Sequence, residues 1–120
     1  MWQEMLKNGG GKVYSELVDM SVNTSKTVTC GFRPKMIIAY KLTQSNGAWV
    51  QGDYSLIYDA DMYPAKQFRV YYSNALKGDV LDCPDSSNES RIMAITDTGF
   101  TFACSTTSYF LGTYRLIAIG

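Results

Sequence analysis

The residues that first invite a chemical reading are Asp97-Thr98-Gly99, which spell the triplet that supplies the catalytic carboxylate in aspartic proteolysis. That chemistry needs two carboxylates sharing one proton, contributed by two subunits in the smallest enzymes of the kind. It also needs chain beyond the triplet for a flap and a supporting sheet, and here Phe100–Gly120 follows. Where a small residue normally comes next, the chain has Phe100. Ile92, Ala94 and Ile95 before the triplet, and Phe100, Phe102 and Cys104 alternating after it, describe strand, short turn, strand. Gly99 is then available for the turn geometry, and the triplet is expected to be a hairpin turn.

Other chemistries find less support. The chain contains no histidine, which removes Ser-His-Asp and Cys-His nucleophilic arrangements. Gly9-Gly10-Gly11-Lys12 lacks the spacing and the Ser/Thr of a phosphate-binding loop. Asp53, Asp59, Asp61, Asp82 and Asp85 offer carboxylates for glycoside hydrolysis, which requires a pair ~5–10 Å apart, but no spacing singles out a pair. Asp59-Ala60-Asp61 opens like a calcium loop without its later glycine and closing glutamate, so a turn is expected there. Cys30, Cys83 and Cys104 form no CxxC pair, which argues against zinc and for free thiols. Cys30 and Cys104 lie in alternating runs and read as core residues; Cys83, before Pro84 in a polar stretch, reads as exposed. No catalytic residue, no metal ligand and no cofactor are expected, and the chain reads as non-enzymatic.

Composition narrows the partners. Eleven Lys+Arg balance eleven Asp+Glu over 120 residues, so no net field draws the chain to nucleic acid or to an anionic membrane. Apolar stretches such as Leu116–Ile119 and Met36–Tyr40 are far below the ~20 residues of a spanning helix, so no membrane insertion is expected. The first residues, MWQEMLKNGGGK, carry charges where a signal peptide has its apolar region. Taken as a natural start, they imply a protein made in a cytoplasm.

The elements that must position any site are strands. Tyrosine, threonine and β-branched residues are plentiful and turn signals recur. Residues 1–11 read as a leader, a short helix over Trp2–Asn8 or a disordered segment ending at the glycines, and residues 12–120 as one domain. Strands are expected at about Lys12–Val22, Lys26–Phe32, Met36–Thr43, Ala48–Tyr58, Gln67–Ser73, Arg91–Thr96, Phe100–Ser105 and Thr113–Ile119. Alternation places Val28, Cys30 and Phe32 on one face. Met36-Ile37-Ile38-Ala39-Tyr40 is apolar on both faces, the pattern of a central strand covered on both sides. Asn46-Gly47 signals a turn, and Asn74–Ser90 reads as one long irregular stretch. About eight strands without crossover helices specify an all-β fold, an antiparallel two-sheet β-sandwich.

Nine tyrosines and two tryptophans supply amphipathic rings of the kind used at interfaces and sugar-binding surfaces. Tyrosine is also favoured inside strands, so packing competes with binding as their role. Tyr71 and Tyr72 must point to opposite faces. The ligand-binding candidates are Trp49, Tyr54, Tyr58 and Tyr63, chosen for ring chemistry and proximity to loops.

Two segments carry a resemblance. Thr29-Cys30-Gly31-Phe32-Arg33-Pro34-Lys35-Met36-Ile37 resembles a strand entry in small domains of phage and prophage tail proteins of Firmicutes-type bacteria. Ile95–Thr101 and Tyr114–Gly120 resemble the closing hairpin and terminal strand of the same domains, which sit at the ends of tail-fibre, baseplate or other virion appendages. The order of these motifs is also similar to H-type lectins, antiparallel sandwiches that assemble as trimers or hexamers and bind sugars. The likeness covers Thr27–Thr43 and Arg91–Gly120, carries no ligand-binding residue across, and meets Leu116 and Ile117 where those lectins usually have an aromatic. It implies a virion module made in a bacterial host's cytoplasm, homotrimeric, contacting other virion proteins, and serving host-surface recognition by glycan binding. The alternative it leaves is a structural trimerisation or capping domain with no ligand.

Overall fold

The computed structural model describes residues 11–21, 24–42, 48–61, 66–83 and 89–120. It is all-β, with nine strands in two antiparallel sheets and no α-helix among the described residues. The strands are β1 (Val13–Asp19), β2 (Ser25–Thr29), β3 (Met36–Lys41), β4 (Tyr54–Asp59), β5 (Lys66–Tyr72), β6 (Leu76–Asp82), β7 (Arg91–Thr96), β8 (Gly99–Ala103) and β9 (Thr113–Ile119). The larger sheet runs β1-β9-β3-β4-β5-β6, and the smaller runs β2-β8-β7. A 3-10 turn, Ser108–Phe110, precedes β9.

The core follows from two-residue alternation. Ile37 and Ala39 on β3, Leu56 on β4, and Tyr114, Leu116 and Ala118 on β9 point inward from the large sheet. Val28, Ile92, Phe100 and Phe102 meet them from the small one. Each fully buried Val, Leu, Ile or Phe among them contributes ~1.5–3 kcal/mol of transfer free energy. Gly99 is required at the start of β8, because a Cβ there would lie 1.8 Å from the carbonyl oxygen of Val28 on β2.

On β5 the inward positions are polar. Gln67 is fully buried, and its amide joins the two sheets: Nε2 donates to the carbonyls of Asp82 and Ile92, both at 2.9 Å, while Oε1 accepts from the Ile92 N–H at 2.6 Å. Arg69 is buried beside it, its guanidinium paired with Asp79 on β6 through Nε (2.6 Å to Oδ1) and Nη2, and lying 5.3 Å from the centroid of the Tyr71 ring. These bonds are what allow polar groups to occupy a sandwich interior.

The outward face of the large sheet has a different character. The registers align Ile117, Ile38, Ile57, Phe68 and Val80 in one row across β9, β3, β4, β5 and β6. No other layer covers this row among the described residues; Ile57 and Val80 are 44% and 52% exposed.

Several expectations need adjusting. The Asn74–Ser90 stretch contains β6, an edge strand whose Gly78 and Asp residues mask its alternation; full pairing with β5 and the Arg69–Asp79 pair hold it in the sheet. The fourth strand begins at Tyr54 rather than Ala48, because Asp53 turns the chain: its carboxylate accepts from the Val50 N–H at 2.9 Å and its N–H donates to the Val50 carbonyl at 3.0 Å. Gly52, at φ +92°, completes that turn. The second strand stops at Thr29, short of Phe32. Central strand β3 is covered on one side only among the described residues. Cys83 is half-buried against the core rather than exposed, while Cys104 is buried, Cys30 half-buried, and none of the three forms a disulfide. The leader helix over Trp2–Asn8 and the Asn46-Gly47 turn lie outside the described residues.

Candidate functional site

The four ring candidates separate. Tyr54 and Tyr58 occupy inward positions of β4 and are only 3% and 5% exposed, so both are core residues and neither presents a ring face to solvent. Burial pushes the Tyr54 phenol well above its ordinary range, and its hydroxyl donates to the Ser90 carbonyl. Trp49 is 42% exposed, in the loop leading to β4. Tyr63 lies outside the described residues.

Tertiary structure assembles a different set of rings. At the end of the sandwich where β5 turns into β6, an open cleft of about 330 Å³ is lined by Tyr71, Ser73, Lys77, Glu89, Thr107 and Tyr109, among others. It lies at the small end of the range for ligand sites, ~300–1,000 Å³. Its rings come from opposite parts of the chain. Tyr71 is on the inward face of β5, half-buried, stacked 6.2 Å from Tyr54 and held by the Arg69 guanidinium. Tyr72, next in sequence, is on the outward face, as alternation requires.

Tyr109 arrives from the 3-10 turn. Its ring tilts over Phe110 at 4.8 Å, and its hydroxyl lies 3.2 Å from Ser73 Oγ. The turn itself is pinned from below: Phe110 O accepts from the Tyr114 hydroxyl at 2.8 Å and from Cys104 Sγ at 3.2 Å. Burial raises both the Tyr114 phenol and the Cys104 thiol, so both stay protonated and act as donors. From the side, Lys41 Nζ donates to the Tyr109 carbonyl at 2.8 Å. Gly52 packs so close to that carbonyl that a Cβ would sit 1.7 Å from it. The Trp49 loop is tied to the same end, with Gln51 Oε1 accepting from the Asn74 N–H at 2.7 Å and the Gly52 N–H donating to the Tyr72 carbonyl at 3.0 Å.

Charge in the cleft is mixed. Lys77 brings an ammonium and Glu89 a carboxylate, whose Oε2 is 3.6 Å from Arg69 Nη1. For Arg69, burial pulls the pKa down, but its bond to Asp79 and the neighbouring charges outweigh this and raise it, so the guanidinium remains cationic. A cleft with two aromatic edges, several hydroxyls and both signs of charge suits a neutral, polyhydroxylated ligand.

The Asp97-Thr98-Gly99 stretch is the β7–β8 hairpin, at the strand boundaries Thr96 and Gly99. Asp97 is 92% exposed and paired at 3.2 Å with Arg33, and Thr96 Oγ1 donates to the Gly99 carbonyl at 3.3 Å. Asp97 is thus a solvated turn carboxylate whose charge is answered by Arg33. In Asp59-Ala60-Asp61, Asp59 Oδ1 accepts from the Asp61 N–H at 2.9 Å, a local turn. Asp85 lies outside the described residues.

Sequence reasoning passed over Tyr109 and the Ser105–Thr107 run as a site. The available signal was a hydroxyl-rich segment ending in two aromatics just after a clean strand. Comparison with known proteins adds no relative: no family model, no curated protein and no solved structure matches the chain.

Proposed function

We propose that this chain is the recognition module of a bacteriophage or prophage virion appendage, assembled as a homotrimer and attached to other virion proteins, that binds a saccharide on the bacterial surface. The observation that carries this reading is the cleft rimmed by Tyr71 and Tyr109 at the loop end of the sandwich, with Trp49 on a neighbouring loop. The motifs at Thr29–Ile37, Ile95–Thr101 and Tyr114–Gly120 supply the virion context. No covalent step is assigned to it.

The mechanism is multivalent. A tyrosine ring packs against the C–H face of a sugar while serine and threonine hydroxyls, Lys77 and Glu89 take its hydroxyl groups. The rings are held before binding by the Tyr54, Arg69 and Phe110 contacts, so little ordering entropy is lost. Each site is weak, and three on one rigid tip raise the avidity by ~10²–10⁴ when a surface presents repeated ligands.

The test is binding to an array of bacterial surface glycans, followed by competition for phage adsorption. Tyr109→Ala and Trp49→Ala are expected to reduce both at least ten-fold while leaving the solution mass unchanged. Full binding by both variants refutes the cleft as the site. The uncovered apolar row on the large sheet favours a second reading, a trimerisation or capping domain without a ligand. That reading predicts no glycan signal for the unmodified chain.

A further inference from the structure

Ile117, Ile38, Ile57, Phe68 and Val80 form a continuous apolar row, five strands wide, on the outward face of the large sheet. On either side the rows change character. One runs from Ile119 and Met36 into Asp59, Lys66 and Asp82, with Lys66 ion-paired to Asp82; the other sets Arg115, Tyr40 and Ser55 between Leu17 and Val70. An apolar centre whose flanking rows mix apolar with polar and charged residues is the anatomy of a protein–protein interface rather than of a solvated sheet face. An antiparallel sheet with one wet face ordinarily alternates apolar-in with polar-out. Here β3 breaks that rule by being apolar on both faces, so its sequence specifies cover that no other layer provides among the described residues.

We infer that this face is buried against further copies of the same chain. Three observations select a copy over a different partner. Six strands ~4.8 Å apart and about six residues long present roughly 600 Å² in projection, which reaches the lower end of the ~600–1,000 Å² that a stable interface takes from each partner. Asp19, Asp59 and Asp82 against Lys66 and Arg115 leave the face with five charges of mixed sign, and the whole chain has a formal net charge of +0, so neither face nor chain repels its own copy. An uncharged apolar row is also self-complementary, and closed assemblies of identical chains are the commonest kind. This deepens the proposed function, resting on it only for the number of copies. The cleft at the loop end is lined from the inward face and its loops, so it stays open when the outward face is covered.

Sedimentation equilibrium of the full chain across a range of concentrations tests the assignment, with Ile57→Lys and Val80→Lys as variants. Both positions are about half exposed, and Val80 lies on an edge strand, so at least one variant retains the strand signal in circular dichroism. The expected result is a mass two or more times 13.4 kDa that falls to the single-chain value in either folded variant. A three-fold mass agrees with the trimer, whereas a two-fold mass keeps the face and refutes the threefold arrangement. A single-chain mass for the unmodified protein overturns the inference, as does an oligomer that both folded variants leave intact. An assembly lost in the lysine variants without any glycan binding by the unmodified chain keeps the face and loses the recognition reading.

Discussion

Replacing Gln67 with leucine should be among the most damaging single changes that leave side-chain volume nearly constant. The Gln67 amide meets Ile92 as a strand's own peptide would, donating to its carbonyl at 2.9 Å and accepting from its N–H at 2.6 Å. In this way β5 of the large sheet is joined to β7 of the small one, next to the Ile92/Ala94 register shift where β7 pairs irregularly with β8. Gln67→Leu strips both of these bonds, and the one to the Asp82 carbonyl, inside a fully buried site. Each buried group left without this partner costs ~1–3 kcal/mol. Two at Ile92, offset by about 1 kcal/mol for a more apolar side chain, give a net loss of ~3 kcal/mol. At ~4 °C per kcal/mol for a domain of this size, Tm should fall by about 12 °C.

A companion variant separates hydrogen bonding from packing. Gln67→Glu keeps an oxygen for the Ile92 N–H but sets a second oxygen against the carbonyls of Asp82 and Ile92, where Nε2 stood. Burial raises the introduced carboxyl's pKa in the folded state. The folded state then binds a proton that the unfolded chain releases at about pH 4.3, so this variant is most stable below that value and loses stability as pH rises through the raised one. Urea unfolding at a single protein concentration, near pH 4 and near pH 7, measures both effects. A loss below ~1 kcal/mol for Gln67→Leu would refute the claim that this amide closes the sandwich.

Three further outcomes are expected. The Tyr54 and Tyr114 phenols are raised above their ordinary value of 10.0 by burial; stability should hold up to about that pH and fall above it, as these two ionise in the unfolded chain, so their share of the phenolate absorbance should appear with unfolding rather than before it. Gly99→Ala forces a methyl group onto the Val28 carbonyl and should separate β2 from β8, seen as loss of soluble folded protein or a melt lowered by more than ~10 °C. Gly52→Ala combines strain at φ +92° with a clash against the Tyr109 carbonyl; it should weaken saccharide binding more than Lys77→Ala does, because it displaces the turn that carries the ring.

The legible part of this protein is the local part. Side chains on successive strand residues alternate, so Phe100-Thr101-Phe102, Thr27-Val28-Thr29 and Met36–Tyr40 declare themselves as strands from their own residues, and Thr96–Gly99 as a turn. The all-β class and the hairpin reading of Asp97-Thr98-Gly99 follow from the same short-range rule. Alternation states that neighbours face opposite ways without stating which way is inward. Thus Tyr54 and Tyr58, beside loops in the sequence, enter the core once β4 is flanked by β3 and β5. Strand β6 illustrates the same division, since Gly78 and Asp79 argue against a strand until Arg69, ten residues away, supplies the charge that Asp79 answers. The cleft and the apolar row are further from the sequence still. Tyr71 and Tyr109 meet through chain closure across both sheets, and Ile117 aligns with Ile38 only because β9 inserts between β1 and β3. Local backbone sterics and side-chain periodicity determine the strands; the long-range order of those strands decides which side chains share a surface.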